Sequence, residues 1–233
     1  MSRRRVRAIA HKELREIRHN RSLLVGMAIL PLAFLIQPAV TVFALPASGA
    51  TSVRHAHELI YLLGIAALSP ALLASYAVVG ERAQGTLEPV LTTPIRREEL
   101  LIGKAIALLL PAIVESYVIF AAFLAAVALF AAPGVAGALI RGPDVAAQLV
   151  LTPLVAGWSA WEAMAISARV SDIRVAQQLS VLAAIPTVAV AGLVAFGVLP
   201  PTLAFGALLL VLNGAGVRLV FASFDRERLI QGL

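Results

Sequence analysis

A bundle of six membrane-spanning helices is the fold the sequence predicts, and three observations predict it. Sixty per cent of the 233 residues are hydrophobic and only 14% are charged, where a soluble domain has about 45–50% and about 25%. Mean hydropathy is +0.91. The apolar residues gather into six long runs, each near the ~20 residues a helix needs to cross a hydrocarbon core of about 30 Å. The runs are continuous rather than alternating with period two, which excludes a β-barrel. The composition also excludes a disordered chain, a coiled coil and an ordinary water-soluble enzyme. The chain has no Cys, so a disulfide scaffold, thiol catalysis, Cys-ligated zinc and iron–sulfur clusters are excluded as well.

Residues 1–21 form the first unit. Val6, Ile9, Leu14 and Ile17 recur at near-helical spacing, among Arg3, Arg4, Arg5, Arg7, Lys12, Arg15 and Arg18. This pattern predicts an amphipathic helix in the headgroup layer, apolar face down, cations toward anionic lipid. Glu13 and Glu16 moderate its charge and argue against a mitochondrial transit peptide. Residues 22–233 form the second unit, the spans. The first is Ser22–Leu45, which is longer than the roughly 7–15 residues of a signal-peptide core and is expected to be retained. The others are Leu59–Gly80, Leu100–Ala131, Val145–Ala168, Val175–Val198 and Thr202–Ala222. Prolines inside the runs (Pro31, Pro38, Pro70, Pro111, Pro153, Pro186) read either as hinges or as ordinary membrane-helix composition.

Orientation follows from the cations. With six spans both termini share a side, and that side holds 17 of the 19 Lys and Arg, leaving Arg54 and Arg141 opposite. The positive-inside rule places both termini in the cytoplasm. The same distribution argues against nucleic acid, which would require a soluble basic surface.

The cytoplasmic loop at 81–99 carries the most specific local pattern. Gly85 permits a sharp turn after the second span. Thr86 caps a short helix in which Pro89 falls in the first turn. Leu87, Val90 and Leu91 give that helix an apolar face. Thr93-Pro94 reads as a second cap with proline at the first helical position, and Glu98 and Glu99 suit the positive N-terminus that follows. A short apolar helix held at the cytoplasmic surface fits docking into a partner.

This segment resembles the signature loop of ABC type-2 transporter permeases. The matching residues are Glu81, Arg82, Gly85, Thr86, Leu87, Glu88, Leu91, Thr93, Pro94, Gly103 and Lys104. Residues 1–21 are similar to the family's elbow helix, and the stretch 168–178 to its second cytoplasmic loop. The resemblance implies a permease subunit, expected to be an exporter in the cell's cytoplasmic membrane. It implies two partners, a second permease copy (the same or a different chain) and a cytoplasmic ATP-binding-cassette subunit carrying ATP and Mg. Glu81, Arg82, Gly85, Thr86, Leu87, Glu88, Leu91 and Pro94 would form the coupling contact. For Gly85 and Pro94 a purely structural role is favoured. The gap at Leu199-Pro200-Pro201 departs from the family, being too short for outer re-entrant helices.

No cofactor or metal is expected on this chain, and no catalytic residue. It has no phosphate loop, since Gly103-Lys104 lacks the upstream Gly and is followed by Ala105. His55-Ala56-His57-Glu58 does not place its His pair at i and i+4. Three polar residues inside the runs are substrate-path candidates. Glu115 lies about eleven residues beyond Lys104, near mid-membrane at 1.5 Å per residue. An acid there costs about 2.5–3.5 kcal/mol. It lines a cavity, contacts a cation or titrates; alternatively it is a hydrogen-bonded acid locking helices. Glu162 sits nearer Arg169 and the cytoplasm. Asn213, beside Gly214 and Gly216, reads chiefly as a packing or dimer contact. Trp158 and Trp161 read as core. The rival functions are a passive channel, an assembly factor akin to haem-export permeases, and an intramembrane lipid-modifying enzyme. The last needs a nucleophile–base pair in the membrane, and no His or Cys lies in any run.

Overall fold

The computed structural model describes residues 2–44, 57–75, 79–80, 95–197 and 203–223, and among these there is no strand. In order come α1 (Arg3–His19), α2 (Arg21–Phe43), a 3-10 turn (Glu58–Leu62) running into α3 (Leu63–Ser75), α4 (Arg97–Phe130), the short α5 (Pro133–Leu139), α6 (Gly142–Ser167), α7 (Ile173–Ala195) and α8 (Leu203–Ser223). Five of these, α2, α4, α6, α7 and α8, are long and apolar enough to cross a membrane. The sixth apolar run is the shorter stretch Glu58–Ala74.

Local chemistry sets the helix ends. Asn20 caps α2 by accepting from the Leu23 amide at 3.3 Å. Asp172 caps α7 by accepting from Arg174 and Val175 amides at 2.7 and 3.0 Å. Such caps satisfy donors that the first turn leaves orphaned. The start of α4 differs from expectation. Ile95 and Arg96 lie outside the helix, so Pro94 is not its first residue. The Glu99 carboxylate accepts from the Arg96 amide at 3.2 Å, closing the first turn there. Pro70, Pro111, Pro153 and Pro186 all lie inside continuous helices.

α3 is the centre of the bundle. It packs against α2, α4, α6 and α7, and Ile65, Ala66, Ala67, Ala71, Leu73 and Ala74 are all buried to within 1% exposure. A helix that is apolar on every side is one surrounded by other helices. The outer helices instead carry outward apolar faces: Leu32 and Ile36 on α2, Val118 on α4, Leu182 and Ile185 on α7, Leu210 and Val211 on α8. Exposed apolar area on that scale suits a hydrocarbon surrounding, not water.

Two core clusters fix how the helices alternate. One joins the start of α2 (Met27), the end of α3 (Leu73), the start of α4 (Leu101) and the ends of α6 and α8 (Met164, Val220). The other joins the end of α2 (Val42), the 3-10 turn (Leu59, Leu62), the far half of α4 (Phe123, Val127) and α5 (Val135, Leu139). Successive long helices therefore run up and down. α1 lies at the first of these ends, with Ile17 packed on its cluster. α5, between α4 and α6, is an element the sequence reading passed over.

Candidate functional site

The functional geometry concentrates at the α1 end of the bundle. Val6, Ile9, Ala10 and Glu13 form the buried face of α1, and that face packs on the start of α4. Gly103 makes the approach possible, because a Cβ there would sit 2.7 Å from Ile9 Cγ2 and 3.2 Å from the Val6 carbonyl oxygen. The next residue, Lys104, is 1% exposed and donates to Glu13 at 2.8 Å. One turn earlier, Glu99 accepts from the Ser2 amide at 2.6 Å and meets Arg5 at 3.5 Å. The apolar face of α1 is thus directed at α4, where the sequence reading had turned it toward lipid. Glu16 pairs with Lys12 at 3.4 Å, one turn before it.

The loop that carries the family pattern leaves and re-enters at this end. Residues 81–94, with Glu81, Arg82, Gly85, Thr86, Leu87, Glu88, Leu91 and Pro94, lie outside the described residues. Its two flanks are described and are pinned. The fully buried Val79 donates its amide to Ser167 Oγ, at the end of α6, at 3.3 Å. On the other flank Glu99, which accepts from the Arg96 amide, ties the chain to the start of α1 through Ser2 and Arg5, and the Arg97 guanidinium donates to the Phe221 carbonyl on α8.

The three interior candidates sit on three helices, and no hydrogen bond joins them. Glu115, on α4, accepts from Ser69 Oγ on α3 at 2.8 Å. Ser69 is fully buried. Glu115→Ala removes the acceptor and is expected to cost about 1–3 kcal/mol; Glu115→Gln keeps one and costs less. Thermal unfolding in detergent checks the order. Glu162, on α6, has one buried carboxylate oxygen with no hydrogen-bond partner among the described residues. Asn213, on α8, donates to the carbonyls of Leu154 on α6 at 2.9 Å and of Leu209 at 2.8 Å.

Close helix approach surrounds Asn213. A Cβ on Gly157 would overlap Asn213 Oδ1, and one on Gly216 would lie 2.8 Å from Trp161 Cβ. Gly157→Ala should therefore destabilise the α6–α8 contact by about 1–3 kcal/mol, the usual cost of overpacking. The double change Gly157→Ala with Asn213→Ala should recover most of that loss in the same unfolding measurement. Trp158 and Trp161 are partly buried and pack against the core clusters.

The opposite end holds a second set of polar ties that the sequence reading missed. Gln37 on α2 donates to Glu58 at 3.0 Å. His57 Nδ1 lies 2.8 Å from Asp144, which also pairs with Arg141 at 2.6 Å. The His57 amide donates to the Ala195 carbonyl at the end of α7 at 2.7 Å. Gln148, one turn beyond Asp144, is 1% exposed, and both its amide atoms are without a partner among the described residues. The available signal was Glu58 and Asp144 at the edges of two apolar runs and Gln37 and Gln148 inside two, where an unpaired group is costly.

Among the described residues the chain is helical, with five helices long and apolar enough to cross a membrane and with polar side chains tying helix to helix, which is the form of a multi-pass membrane protein. More specifically, the chain belongs to the ABC-2 transporter family, whose model, described as ABC-2 family transporter protein, matches residues 7–214. No curated protein matches the chain. It is a multi-pass permease, and the family's membrane component is not itself catalytic.

Proposed function

We propose that the chain is the transmembrane permease subunit of an ATP-driven exporter in the cytoplasmic membrane. Six spans cross the bilayer, the stretch Glu58–Ala74 being the second, and both termini face the cytoplasm. ATP and Mg reside on a separate cytoplasmic ATP-binding-cassette subunit. A second permease copy completes the path. Residues 81–94 of the loop seat on the ATPase, with Glu81, Arg82 and Glu88 positioning it by charge and Leu87 and Leu91 filling the groove. Gly85, Thr86 and Pro94 shape the loop. Glu115, Glu162 and Asn213 belong to the helices that rearrange during transport.

The observation that carries this reading is the bracing of the loop's flanks. Val79 is tied to the end of α6, Arg97 to the end of α8, and Glu99 to α1. A push on the intervening segment is delivered to three elements at once, in addition to α4 itself.

Purification of the tagged chain from its native membrane in mild detergent tests the reading, with co-purifying proteins identified by mass spectrometry. A stoichiometric ATPase is the expected result. A chain that purifies alone, even after cross-linking, sinks the proposal in favour of a channel or enzyme.

A further inference from the structure

We infer that the 3-10 turn Glu58–Leu62 is a gate closing the end of the bundle opposite α1, latched by His57 on Asp144 and by Gln37 on Glu58, with Gln148 as the group that opening relieves. Five residues is long for a 3-10 helix, whose hydrogen bonds are poorer than those of an α-helix and which often marks a hinge. Even so, Glu58, Leu59, Ile60 and Leu62 are all buried. The turn is a wedge between two groups of helices. Ile60 shares a core cluster with Val155 on α6, Val194 on α7 and Phe205 on α8. Leu59 and Leu62 share another with Val42 on α2, Phe123 on α4 and Val135 on α5. Withdrawal of the turn parts these groups at this end, while the cluster at the α1 end still joins α2, α3, α4, α6 and α8.

The ties on the turn are polar, which suits a seal that must release. The Glu58 carboxylate accepts from Gln37 on α2 at 3.0 Å. His57 reaches α6 through Asp144 at 2.8 Å, and α7 through its amide, which donates to the Ala195 carbonyl at 2.7 Å. The closed arrangement leaves other polar atoms unsatisfied at this end. Gln148 lies one turn after Asp144 on α6, is 1% exposed, and has neither amide atom bonded among the described residues. Gln37 Oε1 is likewise buried without a partner among them. A buried unsatisfied amide weighs against the state that buries it, and water entering a parted mouth satisfies it. The latch and the orphaned amides therefore oppose one another, which makes the turn a two-state element rather than a rigid plug. This inference rests on the export reading above, in which cargo leaves at this end.

The chain lacks Cys, so Ile60→Cys places a single thiol in the seal, at a position that is 0% exposed. Ala163→Cys gives an equally buried reference in the cluster at the α1 end. The full chain in phosphatidylcholine nanodiscs, open to solvent on both faces, is treated with a positively charged methanethiosulfonate reagent. The rate of modification is followed by mass. Adding His57→Ala or Gln37→Leu should speed reaction at Ile60→Cys on the order of tenfold, the effect of losing one hydrogen bond to a charged group. The Ala163→Cys rate should stay the same. His57→Ala leaves Asp144 its bond to Arg141, so it frees the turn without stranding the acid. Adding Gln148→Leu should act in the opposite sense, slowing the reaction by a similar factor and raising the unfolding midpoint. If Ile60→Cys folds poorly, Leu63→Cys, also 0% exposed, takes its place. A rate indifferent to both latch changes overturns the inference. So do equal rises at both thiols, which would make the ties part of the whole fold, and a Gln148→Leu variant that reacts no slower. The measurement needs no ATPase. A latched mouth in a chain that never retains an ATPase keeps the gate and sinks the exporter. A mouth indifferent to the latch in a chain that retains one does the reverse.

Discussion

Glu13→Leu should destabilise the protein by about 3–5 kcal/mol, the usual cost of removing one partner from a buried ion pair. Lys104, which donates to Glu13 at 2.8 Å, is 1% exposed and cannot swing out to water. Lys104→Met should cost less. The Glu13 side chain keeps about 10% exposure and has Lys12 at 3.8 Å. The double variant, Leu at 13 and Met at 104, should return close to the parent, because replacing a whole buried pair by apolar residues of similar size is often neutral. The order of the three is the informative result. It is read from unfolding midpoints in detergent and from the coupling energy of the double-mutant cycle. A Glu13→Leu variant as stable as the parent would mean that α1 is not held through this pair.

Much of the architecture was legible because bilayer crossing imposes a length and a continuous apolarity that no local preference can hide. The five long helices begin and end within a few residues of the expected runs, with Asn20 and Asp172 standing where a cap was needed. The misses share one cause, which is that a residue's partner on a distant element leaves no trace in local periodicity. Val6, Ile9, Leu14 and Ile17 were read as one apolar face, of which Val6 and Ile9 are buried and Leu14 and Ile17 half-buried, yet nothing in the spacing says that α4 covers it. Gly103 and Lys104 were recognised only by resemblance. Their physical reason, a close approach followed by a buried charge pair, needs the fold. Pro94 was read as a helix start because proline suits that position, but the Glu99 carboxylate closes the turn at Arg96 instead. α3 looked like any other span, since apolarity alone does not distinguish a helix surrounded by protein from one facing lipid. α5 was overlooked for the opposite reason: seven residues rich in Ala and Gly give no strong helical signal.

The interior candidates illustrate the same limit. Glu115 stood out as an acid deep in an apolar run, and its cost demanded a partner. Which partner was not legible: Ser69 is 46 residues away in the chain. Asn213 was read with its neighbouring glycines as a packing residue. Its hydrogen bond to the Leu154 carbonyl and the fit against Gly157 place that contact on α6. Gln148 was not singled out, although an amide in an apolar helix carries the same kind of cost.

Charging the apolar face of the coupling loop should have the largest effect on transport. Leu87→Glu together with Leu91→Glu should abolish co-purification of the ATPase and reduce transport to background. Each leucine buried in a groove contributes about 1.5–3 kcal/mol, and a carboxylate forced into the same groove adds a desolvation cost. Losing even the burial of two leucines weakens binding on the order of a hundredfold or more. The fold itself should be unaffected. The core clusters of the described residues are built from the long helices, the 3-10 turn, α3 and α5, and the loop's described flanks are tied to Ser167, Ser2 and Phe221. The decisive comparison is therefore unfolding midpoint against partner retention. An unchanged midpoint with the ATPase lost assigns the leucines to the partner interface. A midpoint that falls in step with retention would place them in the protein's own core and remove the loop from the coupling path. Gly85→Ala and Glu88→Gln extend the test. If the loop transmits motion as well as binding, these variants should keep the ATPase and its hydrolysis while transport falls, because shape and charge positioning fail before the apolar contact does.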